Sequence, residues 1–236
     1  MVTTRCPKEG NPPLKIIARI RTDFPAKFGI PRQSGIINAL KSVIVFEPEY
    51  RNPDALRGLD GFSHIWLIWE FTEAERDAWS PTVRPPRLGG NIRMGVFATR
   101  SPFRPNAIGL SSVKLDEIGL HPDFGTVLYV SGADLMDNTP IYDIKPYIPY
   151  TDSHPEAIDG FVDTLKDYLL DVEFPEQWLR LIPETRREAL RDVLAHDPRP
   201  SYQDDPKRIY GLEFAGFDIR FTVVENVLSV CTVELP

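Results

Sequence analysis

The chain has 236 residues, of which 42% are hydrophobic and 26% are charged, as is usual for a soluble globular protein. No apolar stretch approaches the roughly 20 residues that a membrane-spanning helix needs, and residues 1–13 lack the apolar core of a secretory signal. Two cysteines do not make a disulfide framework, so we expect a cytoplasmic protein that does not contact membranes.

Charge is unevenly distributed along the chain. The net charge is −7, but residues 1–155 carry 18 Lys and Arg against 17 Asp and Glu, whereas residues 156–236 carry 9 against 17. Between Arg84 and Arg104 there are five arginines and no acidic residue. Such a local field can hold a phosphate or a carboxylate whatever the total charge, although a solvated basic face explains this segment equally well when it is taken alone.

Short strands separated by turns are predicted over the N-terminal part. Runs of aliphatic and aromatic residues fall at 14–20, 43–46, 62–71, 94–99, 113–118 and 126–131. The run FSHIWLIWEF at 62–71 is apolar nearly throughout, which predicts a strand buried on both faces. No Gly-x-Gly-x-x-Gly links a strand to a helix. We therefore predict a mainly β fold with a small β-barrel rather than a Rossmann domain.

The pattern of hydrophobic residues changes near residue 155. A helix is predicted over residues 183–195, which begin with a proline and carry an apolar stripe of helical period. A helix is also compatible with residues 155–170, and two strands are predicted at 217–224 and 227–233. We therefore divide the chain into a β-barrel domain at 1–155 and a smaller α+β domain at 156–236.

Three segments combine a restrained backbone with polar side chains and are candidates for a functional site. They are GIPRQSG at 29–35, GVFATRSPFRPN at 95–106 and DLMDNTPIYDIKPY at 134–147. Prolines fix the backbone there, and arginine, asparagine and carboxylate side chains suit the recognition of anions and base edges. The stretch Asp137–Asn138–Thr139–Pro140 is also compatible with a simple turn capped by its own side chains.

Metal and hydrolase chemistry are not indicated by the sequence. The four histidines are scattered without the spacing of metal ligands, and neither a Gly-x-Ser-x-Gly elbow nor a paired Cys and His is present. The residues alone therefore predict a metal-free β-barrel whose rim can bind anions and bases.

The same segments resemble the TsaA-like (TrmO-type) family of β-barrel tRNA (adenine-N6)-methyltransferases, which act on N6-threonylcarbamoyladenosine. The matching stretches are PRQSG at 31–35, RGLDGFSHIWLI at 57–68, RPPRLGGNIRMGVFATRSPFRPNAIGLS at 84–111, DLMDNTPIYDIKPYIPY at 134–150 and DPRPSY at 197–202. The resemblance implies S-adenosyl-L-methionine as methyl donor and a homodimer. It also implies, as target, a tRNA adenosine immediately 3′ of the anticodon that carries the threonylcarbamoyl group.

The resemblance also implies cofactor contacts, which we carry over position by position. They are Gln33, Ser34, Gly35, Thr72, Glu73, Arg100, Asp137, Asn138, Thr139 and Pro140. The arginines that we expect to contact tRNA phosphates are Arg84, Arg87, Arg93 and Arg104.

Catalysis requires a group that prepares the acceptor nitrogen, because this nitrogen is weakly nucleophilic and protonated. Our candidates are Asp143, Lys145 and Tyr147. On an extended segment Asp143 and Lys145 face the same side, so Lys145 should stay charged and can hold the threonyl carboxylate. An ion pair that closes the barrel is the structural alternative.

Two departures from the family pattern bear on these predictions. The family commonly has Gly where this chain has Asn138, and Asn tolerates the left-handed conformation that Gly would supply. The strand at 62–71 often continues with His in the family, whereas here it continues with Thr72. That second departure motivates an alternative function, a tRNA- or nucleotide-binding module that has lost catalysis. A purely structural barrel would leave the arginine-bearing loops unexplained.

Overall fold

The structure of the chain, a computed structural model, describes residues 14–74, 79–85, 88, 91–162, 169–200 and 205–235. Within these ranges, buried hydrophobic side chains form two cores. One lies inside an N-terminal barrel, and the other lies between a helix and a sheet of the C-terminal region. None of the helices in the described ranges is long and apolar enough to cross a membrane.

The described part of the N-terminal region contains eight strands. In chain order they are β1 (Ala18–Arg21), β2 (Lys41–Phe46), β3 (His64–Glu70), β4 (Thr82–Val83), β5 (Met94–Gly95), β6 (Ile108–His121), β7 (Gly125–Ser131) and β8 (Pro140–Pro146). Six of them pair antiparallel in the order β1-β2-β7-β6-β3-β8, and pairing of β1 with β8 through two residue pairs joins the ends of the sheet into a barrel. The strands β4 and β5 form a separate two-stranded sheet.

Strand β3 is buried on one face only, so the prediction of burial on both faces was wrong. Ile65, Leu67 and Trp69 point into the barrel core, whereas His64 is exposed and Trp66 is half-buried on the outer face. Apolar residues on the outer face include Trp66, which lines a cavity. A strand that borders a cavity has the same apolar sequence pattern as a strand buried on both faces, so the sequence could not distinguish the two.

Three other strands differ from the predicted runs. The run at 94–99 holds only the two residues of β5, followed by a 3₁₀ turn at Val96–Ala98, and the run at 113–118 is the middle of the longer β6. Strand β8 lies inside a segment to which the sequence assigned chemistry. Its two terminal prolines obscured the strand pattern, although proline is compatible with strand ends.

The C-terminal region is an α+β unit. After β8 and a short helix α1 (Pro149–Asp152), its described strands and α-helices are β9 (Asp171–Glu173), α2 (Glu176–Leu179), α3 (Glu184–Ala195), β10 (Tyr210–Phe214), β11 (Phe217–Val224) and β12 (Val227–Glu234). The sheet has the order β10-β11-β12-β9, with β9 parallel to β12 and the other pairs antiparallel. The mainly β fold with a small barrel and an α+β C-terminal domain is therefore confirmed.

The predicted elements of this region occur nearly where expected. Helix α3 buries Leu190 and Leu194, and it begins one residue after Pro183, which serves as the N-cap. The hairpin of β11 and β12 turns at Glu225, whose φ of 53° is left-handed. No helix occupies residues 155–162, where a 3₁₀ turn at Gly160–Val162 is found instead, and residues 163–168 lie outside the described ranges.

The segment between β1 and β2, residues 22–40, is here called the bridging loop. Its side chains Phe24, Ile37 and Leu40 are buried in the C-terminal core together with residues of α3 and β10–β12. Among the described residues, the barrel core contains none from this loop. A segment that belongs to the barrel by its place in the sequence therefore packs with the C-terminal region.

Candidate functional site

A cavity of about 680 Å³ is lined by residues of β3 and β6 and by the loops next to them, with Trp66 of the outer face and Trp69 of the barrel core both in its lining. Its lining comes from segments 27–34, 66–74, 99–104, 108–112 and 134–139. This volume is within the range of about 300–1,000 Å³ that is usual for small-molecule sites. All three segments that the sequence singled out therefore contribute to one cavity.

One side of the cavity, here called the barrel wall, is formed by strand residues and by Asp134. The indole Nε1 of Trp69 donates to Ser111 Oγ at 3.0 Å, and Ser111 Oγ donates to Asp134 Oδ1 at 2.6 Å. Gly109 allows this arrangement, because a Cβ atom there would come within 2.2 Å of the Trp69 ring. The barrel wall is thus fixed by strand pairing and by a chain of hydrogen bonds.

Asp134 is an acidic group of the barrel wall whose carboxyl is shielded from water. Burial raises the pKa of its carboxyl, and the hydrogen bond from Ser111 and the positive charge of Arg100 act in the opposite direction. A cation that enters the cavity would favour the charged form of this carboxyl.

A second part of the lining, here called the loop wall, is formed by residues 30–34 of the bridging loop and by residues 99–104. Arg100 Nη1 donates to Gln33 Oε1 and so joins the two segments. Arg104 Nη1 donates to the carbonyl oxygen of Thr99 at 2.7 Å and so fixes the second segment. Two guanidinium groups are therefore held at the cavity by polar contacts, which prepares this wall for an anionic group.

The end of β3 adds acidic groups to the cavity. Glu70 lines it, and so do Thr72 and Glu73, which follow the strand. Glu70 accepts a hydrogen bond from Tyr142, and burial together with Glu70 raises the pKa of this tyrosine to about 12. Tyr142 therefore stays protonated at neutral pH and holds the Glu70 carboxylate in place.

Arginines and exposed aromatic rings lie together beside the loop wall. Trp79 and Phe97 are 53% and 73% exposed, and their ring centroids are 6.3 Å apart. The guanidinium of Arg104 lies 5.8 Å from the centroid of the Phe97 ring. Arg84, directly after β4, and Arg93, directly before β5, are exposed. Such a surface suits the stacking of unpaired bases beside phosphates.

Comparison with known proteins assigns this architecture to a family. The model of the tRNA-methyltransferase O (TrmO) N-terminal domain matches residues 19–153, and that of the TrmO C-terminal domain matches residues 167–236. The chain belongs to the tRNA-methyltransferase O family. The family resemblance inferred from the sequence motifs is therefore confirmed.

Individual TrmO relatives match almost the whole chain. The tRNA (adenine(37)-N6)-methyltransferase of Escherichia coli K12 is 39% identical over 226 residues, which are 92% of this chain and 96% of that protein. A Pseudomonas aeruginosa protein named as an S-adenosylmethionine-dependent methyltransferase is 40% identical over 215 residues, 87% of this chain and 90% of that protein. The crystal structure of TrmO from Pseudomonas aeruginosa superposes with a TM-score of 0.75 at 33% identity, covering 94% of this chain and 98% of that one.

The cavity of this TrmO chain fits S-adenosylmethionine in size and in charge. The cofactor carries one carboxylate and two positive centres, an ammonium and a sulfonium. Arg100 can bind the carboxylate, Asp134 and Glu73 can balance the positive centres, and Trp69 supplies an apolar surface. Among the described residues, no group of three or more His, Cys, Asp and Glu could hold a metal ion.

Six of the ten cofactor residues predicted for this TrmO chain line the cavity. They are Gln33, Ser34, Thr72, Glu73, Arg100 and Thr139. The other four, Gly35, Asp137, Asn138 and Pro140, lie outside the lining. Asp137 instead accepts from the backbone N–H of Thr22 at 3.0 Å, and Asn138 has a φ of 63°, which confirms that Asn preserves the left-handed turn.

The predicted catalytic residues Asp143, Lys145 and Tyr147 lie on or just after β8, outside the cavity lining. Lys145 Nζ is 2.8 Å from Asp143 Oδ2, so both side chains face the same side, as predicted. This ion pair is exposed and contributes only about 0–1 kcal/mol to stability. It is therefore too weak to close the barrel, which was the structural alternative. Lys145 pairs across the strands with Trp66, which does line the cavity.

The predicted RNA contacts fall into two groups. Arg84 and Arg93 are exposed, whereas Arg104 lines the cavity and is bonded to backbone carbonyls. Arg87 lies outside the described residues.

Sequence reasoning missed three residues that line the cavity, Trp69, Glu70 and Asp134. It also missed Ser111 and Tyr142, which bond to them from outside the lining. Asp134 and Ser111 stand at the ends of two matching motif stretches, which was an available signal. The sequence contains little indication of the contact between Glu70 and Tyr142, because this contact depends on which strands become neighbours.

Proposed function

We propose that the chain transfers the methyl group of S-adenosylmethionine to N6 of N6-threonylcarbamoyladenosine at position 37 of tRNA. It is an enzyme of an S-adenosylmethionine-dependent tRNA methyltransferase family, and S-adenosylmethionine is its cofactor. The observation that carries the proposal is the cavity, whose walls combine a buried carboxyl, two arginines and an indole ring in one binding site.

Cofactor binding follows from the two walls. Arg100, oriented by Gln33, binds the cofactor carboxylate, and Asp134 of the barrel wall attracts a positive centre. S-adenosylmethionine, when bound, supplies an electrophilic methyl group that passes directly to the acceptor nitrogen as the C–S bond breaks and the thioether leaves. The residues of the cavity therefore contribute mainly by positioning the reactants.

The acceptor nitrogen must lose its proton as the new N–C bond forms. Glu70 is a carboxylate at the cavity, and Tyr142 holds it from behind, so Glu70 can accept this proton. Asp143, Lys145 and Tyr147 lie one strand away, beside the cavity residue Trp66. We propose that Lys145 binds the threonyl carboxylate of the substrate, because an exposed lysine next to the cavity can hold an anion that extends out of the cavity.

The tRNA partner is supported by charge and by aromatic surface. Arg84 and Arg93 are available for phosphates, and Trp79 and Phe97 present their faces for bases next to the target adenosine. Arg87 and Arg104 complete the proposed set. We further propose a cytoplasmic homodimer and a domain boundary at 155/156, as the sequence and the family resemblance imply.

Labelled S-adenosylmethionine tests the proposal directly. The full chain is incubated with it and with two tRNA preparations that differ only in the threonylcarbamoyl group on adenosine 37. We expect label in the N6 position of the modified tRNA alone. If the protein binds tRNA but labels neither preparation, it is the non-catalytic tRNA-binding module and the proposal is wrong. If it labels both preparations, it is a methyltransferase that does not require the threonylcarbamoyl group.

The role of Lys145 is tested by Lys145→Met. We expect a fold as stable as that of the parent protein and a loss of activity on modified tRNA of about 10- to 100-fold, which corresponds to one charge-assisted bond. Lys15→Met is the matched control, since Lys15 is also an exposed lysine paired with a carboxylate, that of Glu49. Equal activities of the two variants would remove Lys145 from substrate recognition.

A further inference from the structure

The bridging loop is held by the C-terminal region through apolar packing. The ring of Phe24 meets that of Phe214 edge-on with centroids 5.3 Å apart, and Ile37 and Leu40 are buried in the same core. Gly29 lies so close to Leu212 that a Cβ atom at position 29 would be 2.2 Å from Leu212 Cδ1. These close contacts hold the loop against the C-terminal sheet.

Polar contacts reinforce the same junction at the start and in the middle of the loop. Asp23 Oδ2 is 3.0 Å from Arg186 Nε on α3, and the carbonyl of Asp23 accepts from the backbone N–H of Ala215 at 2.8 Å. Further along the loop, Arg32 Nη2 donates to the carbonyls of Asp197 and Arg199 at 3.4 and 3.5 Å. The latter two residues lie in the DPRPSY stretch of the C-terminal region.

The free side of the loop forms the loop wall of the cavity. Residues 30–34 line the cavity one after another, Gln33 bonds to Arg100, and the N–H of Gly35 donates to the carbonyl of Gly132 at 2.8 Å. The bridging loop therefore lies between the C-terminal core and the cofactor residues proposed above. It contains no strand or α-helix of its own that could fix its shape.

We infer that the C-terminal domain is a brace that preorganises the loop wall, and that Asp23 and Arg186 are positioning residues for the cofactor although neither lines the cavity. A loop of this length that was ordered only when ligand binds would weaken binding by the entropy of its ordering. Contacts with the C-terminal core remove that cost beforehand. This inference rests on the proposed function, because it takes the cavity as the cofactor site.

The test measures S-adenosylmethionine affinity by calorimetry in the full chain. Arg186→Gln removes the partner of Asp23 and is expected to raise the Kd by about 3- to 10-fold, the effect of one or two side chains losing their order. The turnover number at saturating cofactor should stay within about twofold, because the residues that touch the reactants are unchanged. Arg186→Lys keeps the charge and should restore most of the affinity. Arg180→Gln removes an exposed ion pair with Glu176 in the same domain and is the matched control, with no expected effect.

Asp23→Asn provides a second way to break the same contact should Arg186→Gln fold poorly. It should raise the Kd similarly, and the double variant should do no more than either single one. The inference would be overturned if both variants kept the parent Kd while hydrogen exchange of residues 30–35 became faster. The loop would then be more mobile without any effect on cofactor affinity. Absence of any cofactor binding by the parent protein would instead contradict the proposed function.

Discussion

The two walls of the TrmO cavity are held by different means. The barrel wall stands on paired strands, and its Trp69, Ser111 and Asp134 are joined by hydrogen bonds between neighbours in the barrel. The loop wall has no strand beneath it and takes its shape from packing on the C-terminal core. One site can thus combine a wall fixed by backbone pairing with a wall fixed by a separate hydrophobic core, and the two should respond differently to mutation.

The largest effect is expected for Trp69→Ala on the barrel wall. Trp69 is nearly fully buried and packs against Phe71 at 4.2 Å between centroids, so its removal leaves a cavity in the barrel core. We expect a loss of about 3–5 kcal/mol in the free energy of unfolding, measured by urea denaturation. Trp66→Ala, on the outer face of the same strand, should cost clearly less. Equal losses of stability in the two variants would mean that Trp69 is no more important to the barrel core than Trp66 on the outer face.

On the loop wall, Gly29→Ala should come next in size. Gly29 has a φ of 88°, which costs an alanine about 1–2 kcal/mol, and its contact with Leu212 adds a further 1–3 kcal/mol or so of overpacking. Gly58→Ala is the control, since Gly58 has a φ of 85° with open space around it. The free energies of unfolding should therefore differ between the two variants. A difference near zero would show that the contact between the bridging loop and the C-terminal sheet can accommodate one more methyl group.

Arg100→Ala probes the ligand-facing side of the loop wall. We expect S-adenosylmethionine binding to weaken by about 1.5–3 kcal/mol, the usual contribution of a hydrogen bond to a charged group. Isothermal titration measures the effect. Because Arg100 also bonds to Gln33, the variant Gln33→Ala should produce part of the same loss. Unchanged affinity in Arg100→Ala would remove this arginine from the site.

The smallest effect is expected for Asp134→Asn, and it depends on pH. The folded-state pKa of Asp134 is raised by burial, so the stability contributed by its protonated form is present at low pH and is lost as pH rises through that pKa. The amide cannot ionise. The stability of Asp134→Asn relative to the parent protein should therefore increase from about pH 4 to neutrality, as chemical denaturation at several pH values would reveal. A constant difference would contradict the raised pKa.

The sequence predicted the segments of the site better than their arrangement. Motif stretches around Gln33, Arg100 and Thr139 do meet at one cavity, because rigid proline- and glycine-bounded turns are visible in sequence. The barrel wall was missed, because whether Trp69 and Ser111 become neighbours depends on which strands pair. The dependence of the bridging loop on the C-terminal core was missed for the same reason, since nothing local to Phe24 indicates Phe214 as its partner.

Native-state hydrogen exchange under increasing urea tests the central claim most directly. If the loop wall is held by the C-terminal core, the protected amides of residues 22–40 should open together with those of α3 and β10–β12. The amides of the barrel strands β3 and β6 should open in a separate step with its own free energy and its own dependence on urea. Opening of the bridging loop together with the barrel strands, and independently of the C-terminal sheet, would contradict the account.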